Sequence, residues 1–276
     1  MKNKMLYRMS YLKNIAINVF GSLYSKLEPV KYVNSLLFKL DEIEGSDRDS
    51  QDRNVLKFLK KVDRLKKEGV IPTISAIYRV KNGAEYIELS ILSIAPLVSE
   101  IIVVDNTSTD ETYHIVKRLQ GQLKDTTTIK LYQYTKKVEL AGGGYDERVK
   151  KNPSGSLAEF YRYCFALGKS QYLLKCDAHY VFSAKGLHSI ISALKSEPDY
   201  VLYSGLEVYG KKMGFEPFLF KNDDGYSFID TDKYEKLVLK GDVKVRINEP
   251  VFLHLKRISY TKSIALDIDA LEHKYN

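Results

Sequence analysis

The stretch that decides the fold is PTISAIYRVKNGAEYIELSILSIAPLVSEIIVVDNTSTDET, residues 72–112. Two apolar runs in it, at residues 73–78 and 100–105, have the length and bulk of buried strands. The residues between these runs carry apolar side chains at helical spacing. A strand, a helix and a second strand in this order predict a βαβ unit with parallel strands and a right-handed crossover.

The same alternation continues along the chain. Residues 108–111 (STDE) have the pattern of a capping box in front of a helix predicted at residues 112–119. A third strand is predicted at residues 127–134 and a further helix at residues 156–167. We therefore predict an α/β fold with a mostly parallel sheet flanked by helices.

The next predicted strand ends in two side chains that suit a binding site. Residues 171–182 read QYLLKCDAHYVF, and the apolar run in them ends at Asp177 and His179. From an extended backbone these two side chains point the same way, and open α/β sheets bind ligands beyond the carboxyl ends of their strands. A divalent cation completed by nucleotide phosphates is one interpretation, since Mg²⁺ and Mn²⁺ favour oxygen ligands and Mn²⁺ accepts imidazole. A solvated strand end is the other interpretation.

The composition excludes several classes of protein. A chain of 276 residues with 44% hydrophobic side chains can bury a large core, so it is not a disordered protein. Its two cysteines, Cys164 and Cys176, suit neither a disulfide framework nor a zinc site. We find no run of about 18 apolar residues and no signal-peptide pattern. We therefore expect a cytoplasmic protein that is neither secreted nor membrane-spanning.

The first quarter of the chain is strongly basic. Of the net charge of +8, residues 1–70 contribute +6, from 15 Lys and Arg against 9 Asp and Glu. Apolar side chains recur at helical spacing in residues 1–25, which predicts a basic amphipathic helix. Such a helix packs on the main domain or a second subunit, or contacts a membrane surface, and both interpretations stay open. No module for nucleic-acid binding is visible.

Further along the basic region we expect more helix and one linker. Residues 32–40 and 55–67 have helical patterns, and the polar segment EGSDRDSQDR at residues 44–53 is the best candidate linker between them. Near the other end of the chain, a last helix is predicted at residues 263–273.

The motifs, taken in order, resemble family 2 glycosyltransferases, which are inverting enzymes with the GT-A fold. Residues 74–94 and 99–112 are similar to the nucleotide-binding half of that family, and QYLLKCDAH is similar to the strand that carries its D-x-D motif. The resemblance covers residues 71–182 well and the remainder loosely. It implies a GT-A, Rossmann-like domain at residues 69–276, preceded by a basic helical extension at residues 1–68.

The resemblance also implies a donor-binding site. Tyr78 and Arg79 would flank the nucleotide base and phosphates, and Asp105 would accept hydrogen bonds from the base. A turn or cap residue is the alternative for Asp105. Asn82 and Glu85 lie where the family often has Asn-Glu, and helix capping is the equal alternative for this pair.

The implied metal site is less regular. Asp177 matches the first Asp of the D-x-D motif, whereas His179 stands where the family usually has the second Asp. His254 resembles the late histidine with which GT-A enzymes often contact the metal and diphosphate. Lys256 and Arg257 would meet the leaving diphosphate, although ordinary surface charge would explain them as well.

Sugar transfer with inversion needs a general base on the acceptor side. Residues 214–237 hold several carboxylates, and by analogy with the family Asp230 or Asp232 ranks first and Glu216 next. A loop at residues 141–144 (AGGG) is expected to cover the donor site.

The resemblance implies an enzyme that moves a sugar from a nucleotide-sugar donor, such as a UDP-sugar, to a saccharide or lipid-linked acceptor, using Mn²⁺ or Mg²⁺. Family habit places it in the biosynthesis of bacterial surface polysaccharides, at the inner face of the membrane, and a homo-oligomer is compatible with it. One alternative is a metal-dependent nucleotidyltransferase. Such an enzyme is expected to have a glycine-rich loop after the first strand, where this sequence has RVKNGAEY, which is poor in glycine. The other is a catalytically silent GT-A protein with a binding or assembly role, an interpretation that His179 keeps open.

Overall fold

The computed structural model describes residues 48–207 and 212–256, with side chains described from residue 57 onward. The helices predicted at residues 1–25, 32–40 and 263–273 lie outside the described residues, and so does Arg257.

The described chain alternates helices and strands before it continues in strands alone. The helices are α1 (Arg48–Lys67), α2 (Ile87–Ile94), α3 (Thr112–Gln122), α4 (Tyr145–Lys151), α5 (Leu157–Ala166) and α6 (Ala184–Leu194). The strands are β1 (Ile74–Val80), β2 (Glu100–Asp105), β3 (Thr128–Gln133), β4 (Tyr172–Cys176), β5 (Tyr180–Phe182), β6 (Tyr200–Glu207), β7 (Glu216–Lys221), β8 (Tyr226–Asp230), β9 (Glu235–Leu239) and β10 (Lys244–His254).

Eight strands form one sheet in the order β3-β2-β1-β4-β7-β6-β10-β5, and β8 and β9 form a separate hairpin. The first four strands are parallel, and β6 is parallel to β10. Strand β7 is antiparallel to both of its neighbours, and β5 is antiparallel to β10. The prediction of an α/β fold with a mostly parallel sheet flanked by helices is confirmed, and the arrangement is that of a GT-A, Rossmann-like fold.

Both faces of the sheet are covered. On one face α1, α2, α3 and α6 contribute to a large core, and on the other α5 packs against the sheet together with Phe228 of the β8–β9 hairpin. Strands β1 and β2 are accordingly buried along almost their whole length. This is why their sequences are continuous apolar runs rather than alternating ones.

The register aligns the carboxyl ends of the central strands. Val80 at the end of β1 lies opposite Asp105 at the end of β2, and Tyr78 lies opposite Cys176 at the end of β4. The loops that follow these strands therefore meet at one edge of the sheet, where ligands of open α/β sheets bind.

The linker predicted at residues 44–53 is wrong for residues 48–53, because these residues lie in α1. The helix is held by its later residues, where Val62 is buried in the core and Lys66 Nζ donates to the Val98 carbonyl oxygen at 2.8 Å. The prediction of a helix at residues 55–67 is confirmed. A domain boundary near residue 68 stays a prediction. No described helix is long and apolar enough to cross a membrane.

The capping box predicted at residues 108–111 is also wrong. The carboxylate of Asp110 accepts from the Thr112 backbone N–H at 3.1 Å, and no side chain of the N-cap residue Glu111 caps α3. The Ser108 hydroxyl instead accepts from the Asn82 backbone N–H at 2.8 Å. A contact between two loops has replaced the local one that the pattern indicated.

Gly186 and Gly121 are a matched pair for testing the packing of α6 on β10, because both lie within helices. A Cβ at Gly186 would lie 2.1 Å from the Val251 carbonyl oxygen, whereas a Cβ at Gly121 would meet no atom within 4 Å. We expect Gly186→Ala to lower the free energy of unfolding by about 1–3 kcal/mol and Gly121→Ala to raise it by about 0.5–1 kcal/mol. Urea denaturation followed by circular dichroism measures both, and equal changes would contradict this packing.

Candidate functional site

A buried ion pair lies at the carboxyl edge of the sheet. Arg79 in β1 and Asp177 just after β4 follow the register partners Tyr78 and Cys176, which places them side by side. Arg79 Nη2 donates to Asp177 Oδ1. The Arg79 side chain is 3% exposed and that of Asp177 is 27% exposed, so the pair presents mainly its carboxylate to solvent.

Aromatic rings from α5 support the guanidinium. The Arg79 Cζ atom lies 4.3 Å from the ring centroid of Tyr161 and 5.6 Å from that of Phe165, which are cation–π distances. Arg79 Nε and Nη1 are buried without a hydrogen-bond partner. The arginine is thus held by one carboxylate and by ring faces, and it keeps unused donors.

The ion pair keeps Asp177 ionised. Burial by itself would raise the pKa of Asp177, but Arg79, with smaller contributions from His179 and Lys175, outweighs it and lowers this pKa to about 2. Burial lowers the pKa of His179 to about 4, although Asp177 opposes the shift. At neutral pH the site therefore presents a carboxylate beside an uncharged imidazole.

The structure brings the predicted metal ligands together. His179 Nε2 lies 3.8 Å from Asp177 Oδ2, and the rings of His179 and His254 are 4.7 Å apart between centroids. His254 ends β10 between β5 and β6, and its Nδ1 lies 3.1 Å from Glu207 Oε2. Glu207 is a neighbour that the sequence pattern did not indicate.

The donor atoms of this cluster suit part of a metal site. Within residues 57–207 and 212–256, no three His, Cys, Asp or Glu side chains are arranged to hold a metal ion by themselves. Asp177 Oδ2 and the uncharged His179 are an oxygen and an imidazole of the kind that Mn²⁺ accepts. The set therefore fits a cation that is held jointly by these two residues and by the phosphates of a bound ligand.

The loops after β1 and β2 are locked to each other at the same edge. Asn82, with a left-handed backbone at φ +54°, accepts from the Thr109 backbone N–H at 2.8 Å through its side-chain oxygen. Asp105 is 1% exposed, and both of its carboxylate oxygens lie 3.3 Å from the Ser108 backbone nitrogen. Glu85 is exposed on the first of these loops.

Of two other residues predicted for the donor site, Tyr78 is buried and Lys256 is exposed. The Tyr78 side chain lies in the core, where its hydroxyl is 3.0 Å from Ser90 Oγ, so it does not line the edge. Lys256 is exposed just after β10, and its charge contributes to the lowered pKa of His179.

The three carboxylates predicted as bases lie in different surroundings. Asp230 accepts from the hydroxyls of Tyr145 and Ser156, and from the Ala158 backbone N–H at 3.0 Å. Glu216 forms an ion pair with Lys175 at 3.0 Å. Asp232 is exposed in the turn between β8 and β9.

A fourth carboxylate, Glu235 at the start of β9, was missed from the sequence. Its carboxyl group interacts with the Tyr161 hydroxyl and with the charges of Arg79 and Lys175. Burial raises the pKa of Glu235, against the opposing effects of the two cations. No local signal marks it, because EKLVL has the pattern of an ordinary strand.

The glycine loop at residues 141–144 leads into α4, and Gly144, with φ +73°, is the N-cap residue of this helix. The Gly142 backbone N–H donates to the Lys233 carbonyl oxygen at 2.6 Å. The loop is thus tied to the turn of the β8–β9 hairpin, and its predicted role over the donor site stays a prediction.

Residues 75–249, more than half of the chain, match the sequence model of the family described as glycosyl transferase family 2. No curated protein matches the sequence.

Several solved structures have a backbone fold similar to that of this chain. Residues 1–349 of TarS from S. aureus share 14% identity over 70% of this chain and 64% of that one, with a TM-score of 0.48. This chain covers 38% of a longer TarS structure, also with a TM-score of 0.48. Glucosyl-3-phosphoglycerate synthase from Mycobacterium tuberculosis, in complex with Mn²⁺, UDP and glucosyl-3-phosphoglycerate, shares 15% identity over 73% of this chain and 78% of that one, with a TM-score of 0.41.

Asp230 and its neighbour Asp232 are matched for a test of stability. We expect Asp230→Asn to lower the free energy of unfolding by about 1–3 kcal/mol, because three hydrogen bonds lose their charged acceptor. Asp232→Asn should change it by less than about 0.5 kcal/mol. Urea denaturation of both variants at pH 7 makes the comparison.

The same pair should differ in pH dependence. Burial acts to raise the pKa of Asp230, but hydrogen bonds from Ser156, Tyr145 and Ala158 outweigh it and lower this pKa. The advantage of the wild type over Asp230→Asn should be complete above the unfolded value of about 3.9 and should vanish as pH falls through the lowered pKa. An advantage that does not change with pH would contradict a role for the ionised carboxylate.

Proposed function

This chain belongs to glycosyl transferase family 2, a family of glycosyltransferases, and on that premise we propose that it transfers a sugar from a nucleotide-activated donor to a saccharide or lipid-linked acceptor. The observation that carries the proposal is the cluster of Asp177, Arg79 and His179 at the carboxyl edge of the sheet. A carboxylate held ionised beside an uncharged imidazole is suited to a ligand that brings phosphates and a cation.

The donor nucleotide would lie across the ends of β1, β2 and β4. Asp105 is proposed to accept hydrogen bonds from the base, with Asn82 and Glu85 in the adjoining loop. Asp105 and Asn82 are held in place by backbone groups of residues 108–109, so both are ordered before a ligand arrives. Such preorganisation reduces the entropy lost on binding.

Asp177 and His179, with His254 behind His179, are the residues proposed to hold Mn²⁺ or Mg²⁺. When bound, the cation would neutralise charge on the departing nucleoside diphosphate. Lys256 and Arg257 are proposed to contact the same diphosphate. Arg79 has another task, because its nearly complete burial leaves it to orient the Asp177 carboxylate.

The reaction is proposed to invert the anomeric centre, which requires direct attack by an acceptor hydroxyl and a base to accept its proton. Asp230, Asp232 and Glu216 were candidates from the sequence. The proposal also includes a UDP-sugar as the donor and a surface polysaccharide as the acceptor. It further includes action at the inner face of the membrane, which residues 1–25 would contact. Self-association into a homo-oligomer is also part of it.

We expect a nucleoside diphosphate to raise the melting temperature by mass action. The melting temperature is measured with UDP, GDP and CDP, each in the presence of Mn²⁺ and of a chelator. Calorimetry then measures the dissociation constant of the nucleotide that gives the largest shift. Asp177→Asn and His179→Ala should each weaken binding by at least about tenfold, since each removes a proposed ligand of the cation. His179→Ala leaves the Arg79–Asp177 ion pair in place, so its result does not depend on that pair.

The matched control is Asp223→Asn, which changes a carboxylate in the loop after β7, at the opposite edge of the sheet. We expect it to bind the nucleotide within about twofold of the wild type. Equal affinity with Mn²⁺ and with the chelator would contradict the metal site. Failure of all three diphosphates to bind would contradict the proposed function.

A further inference from the structure

The β8–β9 hairpin brings a carboxylate, Glu235, close enough to the buried arginine to be affected by its charge. Phe228 of β8 lies 4.9 Å from Phe165 and 5.3 Å from Tyr161, measured between ring centroids, so the hairpin packs firmly on α5. Glu235 begins β9, and its carboxyl group interacts with the Tyr161 hydroxyl. The ring of that tyrosine carries the Arg79 guanidinium.

Two cations and one hydroxyl, from three elements, act on Glu235. Arg79 of β1 and Lys175 of β4 are the cations, and Tyr161 of α5 is the neighbouring hydroxyl. Glu216 of β7 lies beyond Lys175 and is paired with it at 3.0 Å. The positive charges of Arg79 and Lys175 therefore act on the Glu235 carboxyl group. Its side chain is only half-buried, so part of its surface is open to a ligand.

Two other carboxylates near the site, Asp230 and Glu216, already have close partners. Each oxygen of Asp230 is used by hydrogen bonds that tie the hairpin to α5. Glu216 is engaged in an ion pair with Lys175 at 3.0 Å. Among the described residues with a resolved shift, Glu235 is the carboxyl group whose pKa is raised, and burial is the main cause.

We infer that Glu235 is the catalytic base that takes the proton from the acceptor, an inference that rests on the proposed sugar transfer. The hydroxyl oxygen of the acceptor forms a bond to the anomeric carbon of the donor sugar, and its proton passes to the Glu235 carboxylate. The bond between the anomeric carbon and the phosphate oxygen breaks, and its electron pair leaves with the nucleoside diphosphate. Arg79 holds Asp177 by an ion pair, and its charge also acts on Glu235.

The test uses water in place of an acceptor, so that no acceptor has to be identified. Release of nucleoside diphosphate is measured with UDP-glucose, UDP-galactose, UDP-N-acetylglucosamine and GDP-mannose, and the dissociation constant of each donor is measured by calorimetry. We expect Glu235→Gln to lower the saturating hydrolysis rate by about 10²-fold or more, the usual contribution of a general base. The donor dissociation constant should change by less than about threefold. Glu235→Asp should recover part of the lost rate.

The pH profile separates a base from a structural group. A base works in its deprotonated form, so the wild-type rate should rise with pH through an apparent pKa above the ordinary glutamate value of about 4.3. That rise should be absent in Glu235→Gln. Asp242→Asn, which changes an exposed carboxylate just after β9, is the control and should keep both the rate and the pH profile of the wild type.

The outcomes separate the two proposals. A wild-type protein that binds none of the four donors would overturn the proposed function and the role of Glu235 with it. Donor binding together with hydrolysis by Glu235→Gln within threefold of the wild-type rate would overturn the role of Glu235 alone. Loss of donor binding and a lowered melting temperature in Glu235→Gln, without rescue by Glu235→Asp, would make Glu235 a structural partner of Arg79 and would also overturn the inference.

Discussion

The site depends on one buried charge, the guanidinium of Arg79. Taking a cation out of water costs several kcal/mol, and the cost is met only where a partner with good geometry is present. Asp177 supplies the opposite charge and α5 supplies aromatic faces. These contacts require β1 and β4 to be neighbours that end at the same level, and they require α5 to lie across the sheet beneath them. The buried charge of Arg79 is therefore tolerated only because the central strands and α5 are arranged in this way.

The same guanidinium lies near two carboxyl groups whose pKa values move in opposite directions. Asp177 bonds to it directly, and Arg79 together with His179 and Lys175 outweighs the effect of burial, so the pKa of Asp177 falls to about 2. The charge of Arg79 also acts on Glu235, but there burial prevails over the two nearby cations and raises the pKa. Neighbouring acids with divergent pKa values commonly have divergent roles. Here Asp177 stays ionised at neutral pH, and Glu235 is the carboxyl group that we propose as the base.

The β8–β9 hairpin carries both a carboxylate that stabilises its packing and the carboxylate that we propose as the base. Asp230 and Glu235 are cross-strand partners within it. Asp230 fastens the hairpin to the start of α5 by charge-assisted hydrogen bonds, and Glu235 then faces the site from the partner strand. A carboxylate that looked catalytic in the sequence thus has contacts typical of a tether, and that tether is what positions the carboxylate we propose as the base.

The sequence by itself determined the alternation of strands and helices from β1 to β4, apart from α4, together with the mostly parallel sheet and the placement of Asp177 and His179 at a strand end. These features follow from periodicity and from short motifs, which are local. It placed a linker over residues 48–53, which lie in α1, and a capping box at residues 108–111, where a distant loop competed for Ser108. The tertiary structure alone decided that Arg79 is buried against Asp177, that Glu207 lies behind His254, and that Glu235 rather than Asp230 faces the arginine. The physical reason is that each of these contacts joins residues far apart in the chain, so burial and charge at one of them depend on side chains that no local pattern contains.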